Sequence, residues 1–287
     1  MRTGFPRALV ASTGVVVLVV LALTASRTAG QGARAARIDG KPNLNGIWQV
    51  LNTANFDLEA HMAKAAMAMR AGPVVPVPAK EVLALGAVGA VPSGVGVVEG
   101  GAIPYKPEAL AKKKENQENW LSRDPEIKCY LPGVPRATYM PFPFQILHSD
   151  KAIFFTYEYA GAVRDIFLKD PGPAQIDSWM GQSVGRWEGD TLVVDVTGFN
   201  DQSWFDRSGN WHSENLKVVE RYTRTAPDVI SYEATIEDPQ VFSRSWKIAM
   251  PLYRRLEKNV QIMDFKCVEF VEELMYGQWR KKPLSGN

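Results

Sequence analysis

Gln182-Ser183-Val184-Gly185-Arg186-Trp187-Glu188, Gly189-Asp190, Thr191-Leu192-Val193-Val194-Asp195-Val196-Thr197 is the stretch on which the fold turns. Val184 to Glu188 and Thr191 to Thr197 are short runs of strand-forming residues. The pair between them, Gly189-Asp190, accepts positive φ in a tight primed turn, so the stretch reads as a β-hairpin. The same pattern recurs on both sides. Ile153 to Tyr159 and Val163 to Leu168 flank Ala160-Gly161-Ala162, and Leu216 to Arg224 and Val229 to Glu237 flank Thr225 to Asp228. Ser245 to Tyr253 is expected to face Val260 to Cys267 across a charged turn. Four consecutive hairpins amount to an antiparallel meander. A sheet of about eight to ten strands with alternating faces tends to close on itself, because closure removes exposed edges.

The expected fold class is therefore mainly β, an antiparallel meander closing into a barrel-like, lipocalin-like core. N-terminal helices and a Gly/Pro-rich strap precede it. Asn45 to Val50 reads as a short strand, Asp57 to Arg70 as a helix rich in Ala and Met, and Pro107 to Leu121 as a second helix with Lys112 to Lys114 on its solvent side. Gly72 to Pro104, nearly uncharged and full of breakers, reads as a strap on the surface. The organisation expected is a signal segment over residues 1–30, strand, helices and strap over 31–125, and the β domain over 126–287.

Alternation assigns faces within the strands. On Leu216 to Arg224 the apolar face carries Leu216, Val218 and Tyr222, which places Glu220 inward with them. On Ile153 to Tyr159 it carries Ile153, Phe155, Tyr157 and Tyr159. An inward carboxylate among aromatic rings must be paired or must hold its proton. Arg164 and Arg136 are both available partners.

The 287 residues carry 33 Lys plus Arg against 31 Asp plus Glu, and no basic face stands out, which argues against nucleic acid as a partner. Arg2 and Arg7 precede an apolar run from Ala8 to Ala25, followed by small residues at Ala29, Gly30 and Gly32, the layout of a secretory signal peptide. Periplasmic or secreted location follows, with membrane attachment only if the segment is uncleaved. Cleavage near Ala29 leaves 30 basic and 31 acidic residues, a nearly neutral protein. In an oxidising compartment the even count of two cysteines, Cys129 and Cys267, favours a disulfide. No CxxC, HExxH or HxH spacing is present, so no metal site is expected. No dinucleotide or P-loop fingerprint is present either, so no cofactor is expected.

Two segments carry candidate chemistry. Gly181-Gln182-Ser183-Val184-Gly185 matches G-x-S-x-G, with Asp206 and His212 following in the order of a hydrolase triad. The nucleophile elbow, however, needs a helix after the serine, where this chain reads as a hairpin. Phe199 to Glu214 is a long loop between strands that concentrates Asp201, Trp204, Asp206 and His212. It is read either as an acid/base site, with His212 oriented by Asp206 or Asp201, or as an Asx-turn loop with tryptophans packed over the barrel mouth. Candidate catalytic residues are thus His212, Asp206, Asp201 and Glu220. Candidate ligand contacts are Arg136, Tyr157, Arg164, Trp187, Trp204 and Tyr222. Trp187 is also expected to stack with Arg186.

Several segments together resemble an uncharacterised secreted family of environmental bacteria. They are Val97 to Tyr105, Lys128 to Arg136 with its Gly133-Val134-Pro135-Arg136, Pro141 to Ile146, Trp179 to Asp195, Gly198 to Asp201, His212-Ser213-Glu214 and Val219 to Tyr222. The resemblance covers nearly the whole mature chain and implies export and a β-rich fold without naming a reaction. Relatives resemble Cys-His-Glu-Gly-Asn-Tyr where this chain reads Cys267-Val268-Glu269-Phe270-Val271-Glu272, so a mechanism through that histidine is in doubt here. Gly46-x-Trp48 also resembles the first-strand signature of lipocalins. The expected function is binding of a small apolar or aromatic molecule in the barrel, extended in an enzyme to cofactor-free lyase, isomerase or hydrolase chemistry. The alternatives are a serine hydrolase using Ser183 and a non-enzymatic structural or interaction protein of the cell envelope.

Overall fold

The structure, a computed structural model, describes residues 36–65 and 90–276. The apolar segment Ala8 to Ala25 and most of the Gly72 to Pro104 strap lie outside the described residues. The described residues from Ile38 onward form one compact unit.

Nine strands close into a barrel. They are β1 Gly46–Gln49, β2 Phe144–His148, β3 Ile153–Tyr157, β4 Val163–Phe167, β5 Gln182–Glu188, β6 Thr191–Thr197, β7 Lys217–Ala226, β8 Val229–Glu237 and β9 Trp246–Arg254. Each strand pairs with its neighbours in chain order, and β9 returns to β1 through Tyr253 opposite Gln49 and Arg254 opposite Trp48. The direction of a strand in such a ring alternates at every antiparallel pairing, and nine is odd. One pairing must then be parallel, and it is β4 with β5, through Ile166 opposite Ser183 and Phe167 opposite Val184. A parallel pair needs a long crossover where a hairpin needs two residues, and residues 168–181 supply it.

The hairpin that decided the reading is present, with Glu188 opposite Thr191. Only Gly189 takes positive φ, at 59°, the requirement at the first central position of a II′ turn. Two expectations fail. Val260 to Cys267 forms no strand, and β9 instead turns its far end to β1. Residues 57–65 of the expected Asp57 to Arg70 helix hold a bend, an isolated bridge from His61 to Gly94 and a two-residue strand, Lys64–Ala65, paired with Ala90–Val91. The rest of that expectation lies outside the described residues. The barrel also takes its first strand from well before residue 126, and residues 50–143 are inserted between β1 and β2.

The insertion closes gaps in the barrel. Because β1 meets β9 only at residues 253 and 254, the start of β9 offers an open edge. Val97 to Glu99 covers it: Glu99 N–H donates to the Lys247 carbonyl at 2.8 Å and Ala249 N–H to the Val97 carbonyl at 3.1 Å. This end of the strap is therefore seated, with Val98 and Ile103 buried, where a strap lying on the surface was expected. Helix α1, Pro107–Glu118, follows, with Pro107 in the first turn where its missing N–H has no cost. A short helix, α2 Trp120–Arg123, comes next. Cys129 and Cys267 are bonded with Cα atoms 5.8 Å apart, pinning the C-terminal segment beside Phe142 and Tyr159, on which Phe265 packs. Val268 is 54% exposed on this segment.

Candidate functional site

The period-2 alternation of three strands brings a polar group together inside an otherwise apolar barrel. Arg164 points inward from β4, Ser183 from β5 and Glu220 from β7, all buried. Arg164 donates through Nε to Ser183 Oγ at 2.7 Å and through Nη2 to Glu220 Oε2. Glu220 Oε1 accepts the hydroxyls of Tyr222 and Tyr232, each at 2.8 Å. The inward carboxylate is thus paired, and its partner is Arg164, not Arg136. Burial weighs against the Arg164 charge, but Glu220 beside it holds the guanidinium firmly protonated. The phenols of Tyr157, Tyr222 and Tyr232 are pushed up by burial and stay neutral.

A short 3-10 helix, Arg136–Tyr139, adds Thr138 to this group. Tyr157 faces both Arg164 and Thr138. No hydrogen bond of adequate geometry reaches Thr138 Oγ1, Tyr157 OH or Arg164 Nη1, although all three atoms are fully buried. Phe144, Phe155, Tyr157 and Tyr222 wall the group with ring centroids 5.2 to 6.4 Å apart.

The G-x-S-x-G match has a packing explanation. Gly181 takes φ +63° at the entry to β5, and a Cβ there would meet the Thr197 carbonyl at 2.9 Å. A Cβ on Gly185 would strike Ile166 Cγ2 at 2.5 Å. Ser183 lies within a strand that runs on into a hairpin. It therefore has neither the strand-to-helix elbow nor a histidine partner, and its hydroxyl serves Arg164.

The long loop after β6 is built by Asp206. Its oxygens accept the N–H groups of Leu58 at 2.9 Å, Ser208 at 2.9 Å and Asn210 at 3.3 Å, together with the Asn210 side-chain amide at 2.7 Å. This is the Asx-turn arrangement, and it places Trp204 opposite Trp211 in a small ladder. Burial, reinforced by Asp57, pushes the Asp206 carboxyl up to about 7 against the pull of those donors. Asp206 makes no bond to His212, so it does not orient it. Nor does Asp201, which is exposed and reaches His212 only through its field. His212 bonds instead to Ser203 Oγ through Nε2 at 2.7 Å and to the Ser213 carbonyl through Nδ1 at 2.9 Å.

Arg136 is committed elsewhere. Asp124 takes two of its N–H groups at 2.8 and 3.0 Å, Glu126 a third at 2.7 Å, and Asn55 the Nε–H at 2.8 Å. With two carboxylates already on the guanidinium, an anionic ligand has no claim on it. Arg207 completes the network through Glu126 and Glu272. Burial pushes Glu126 up, but Arg207 and Arg136 pull harder and bring it down to about 2. Trp187 packs against His148 and Lys41 at the end of β5, while its expected partner Arg186 pairs outward with Asp195 and Glu188. Trp204 sits in the loop ladder.

Of the expected residues, then, Glu220, Arg164, Tyr157 and Tyr222 converge, and Arg136, Asp206, Asp201, Trp187, Trp204 and His212 do not join them. Tyr232 was legible from the alternation of β8. Thr138 was not, because a 3-10 turn carries no period, and Ser203 was hidden in a loop. Among the described residues no three His, Cys, Asp or Glu side chains are grouped to hold a metal ion. No family model, curated protein or solved structure matches the chain.

Proposed function

We propose that this protein is an exported carrier or receptor that holds a small, uncharged aromatic molecule inside the barrel, beside Arg164 and Glu220. The observation that carries this reading is the convergence of three buried polar atoms, Thr138 Oγ1, Tyr157 OH and Arg164 Nη1, which face one another without a hydrogen bond of good geometry on an aromatic-walled interior. Leaving such groups unpaired costs about 1–3 kcal/mol each, and native interiors seldom tolerate several together. A ligand oxygen accepting from Arg164 and exchanging hydrogen bonds with the two hydroxyls recovers that cost. The charge of Arg164 is already matched by Glu220, so a carbonyl or phenol oxygen suits the site better than a carboxylate. Aromatic walls with a few placed polar groups are the usual makeup of a small-molecule site. The Cys129–Cys267 bond supports an oxidising compartment, in keeping with export and with the secreted-family resemblance.

The test is native mass spectrometry of the mature protein, followed by titration with benzaldehyde, 4-hydroxybenzaldehyde and benzoate. We expect a released small molecule, or tyrosine fluorescence quenched by the two aldehydes and not by benzoate, with Tyr157→Phe weakening the effect by about tenfold. An unliganded mass together with unchanged fluorescence across the three probes sinks the reading.

A further inference from the structure

The second constellation lies in the loop after β6, apart from the interior group. Its tautomer is fixed by its partners. A carbonyl oxygen only accepts, so His212 Nδ1 carries the proton that bonds to Ser213 O, and Nε2 presents its lone pair to the Ser203 hydroxyl at 2.7 Å. The residue that orients the imidazole is itself clamped: Ser213 donates its N–H to Asp238 Oδ2 at 2.6 Å and its hydroxyl to Oδ1 at 2.9 Å. Phe199 and Phe205 hold the ring from two sides, with centroids 5.9 and 5.4 Å away. Hydroxyl, base and base-orienting group thus stand in the order of a base-activated nucleophile, with the carbonyl of Ser213, a residue clamped by Asp238 through its N–H and hydroxyl, in the place of a carboxylate.

Backbone at Gly133 lies directly against the Ser203 hydroxyl. A Cβ on Gly133, at φ +74°, would lie 2.3 Å from Ser203 Oγ and 3.1 Å from the Trp179 carbonyl, so only glycine fits there. The roof is the segment from Tyr130 to Gly133. Tyr130 is 47% exposed and packs its ring on the partly exposed Trp179 at 5.1 Å. Ser203 is 2% exposed, so a substrate reaches the hydroxyl only when this segment moves.

We propose that Ser203 is a nucleophile activated by His212 and that it takes the acyl group of small uncharged esters once this roof lifts. Ser203 Oγ bonds to the ester carbonyl carbon as its proton passes to His212 Nε2. The C–O bond to the leaving alcohol then breaks and Nε2 returns the proton to that oxygen, leaving an acyl-Ser203. Water attacks the acyl carbon as it gives a proton to the same Nε2; the bond from that carbon to Oγ then breaks, Nε2 returns the proton to Oγ, and the carboxylic acid leaves free Ser203.

The disulfide-intact mature protein is treated with a fluorophosphonate, which forms an Oγ–P bond and releases fluoride, and the site is mapped by peptide mass spectrometry. The proposal expects one adduct per chain, on Ser203, in the wild type and in Ser183→Ala, and none in Ser203→Ala. It expects labelling at least about a hundredfold slower in His212→Gln. Because His212→Gln sits in the core and can fail to fold, the wild type unfolded in urea is the second control: there Ser203 is an ordinary hydroxyl and stays unlabelled. Absence of label on Ser203 in the folded protein overturns the proposal. Equal labelling of the folded and unfolded chains overturns it too. Either result leaves the pair as a packing hydrogen bond without touching the interior binding site.

Discussion

Replacing Arg164 by methionine removes a cation from the barrel interior and leaves Glu220, 0% exposed, with two tyrosine hydroxyls as its remaining partners. Stranding one member of a buried pair costs about 3–5 kcal/mol. The two tyrosine bonds place the expected loss toward the lower end, and the Ser183 hydroxyl, deprived of its Arg164 donor, adds to it. For a unit of this size each kcal/mol corresponds to about 2–4 °C, so the melting temperature should fall by roughly 10 °C. Glu220→Gln should cost a similar amount by stranding Arg164. The double variant should recover most of the loss, because a glutamine oxygen still accepts both tyrosines and no charge remains to be paired. Urea unfolding of the oxidised protein, followed by tryptophan fluorescence, closes the double-mutant cycle. A double variant that loses the sum of the two singles, or an Arg164→Met protein within about 1 kcal/mol of the wild type, would refute the coupling.

Glu126 predicts an acid limit. Its folded pKa is depressed from 4.5 to about 2, so its stabilisation is present above 4.5 and is lost as pH falls toward 2. The loss is on the order of 3 kcal/mol, and it should be absent from Glu126→Gln, a variant already less stable at neutral pH; parallel pH curves for the two proteins would count against it. Gly185→Ala drives a methyl into Ile166 and should cost about 1–3 kcal/mol by thermal melt, whereas alanine at the open turn position Gly100 meets nothing within 4 Å and costs only its positive φ. Reducing Cys129–Cys267, which closes a loop of 138 positions, should lower stability by about 4–5 kcal/mol. It should also raise amide exchange first in residues 260–270, where no strand ladder protects the backbone. Uniform exchange across the barrel on reduction would show that the bond braces the whole structure.

What the sequence determined by itself is the local alternation. The period-2 faces of β3, β7 and β8, and the Gly189-Asp190 turn, follow from steric preferences that act between residues close in the chain. They suffice to put Phe155, Tyr157, Glu220 and Tyr222 inside. The same logic reached too far when it paired Val260 to Cys267 with β9. A hairpin is the cheapest closure in sequence, but closing the ring required β9 to meet β1, about two hundred residues earlier, and the burial gained outweighs a loop-closure cost that grows only as the logarithm of length. Which arginine met Glu220, and which serine met His212, were likewise decided by the tertiary structure. Arg136 and Arg164 are chemically equal, and only the three-dimensional packing places Asp124 and Glu126 around one and Glu220 before the other. Ser183 carries the more familiar motif, yet its strand aims it at Arg164, while Ser203 is brought to His212 by a loop that Asp206 folds back on itself. Hydrogen bonds act over about 3 Å of space irrespective of distance along the chain, so the partners of a buried polar group are fixed by the fold as a whole.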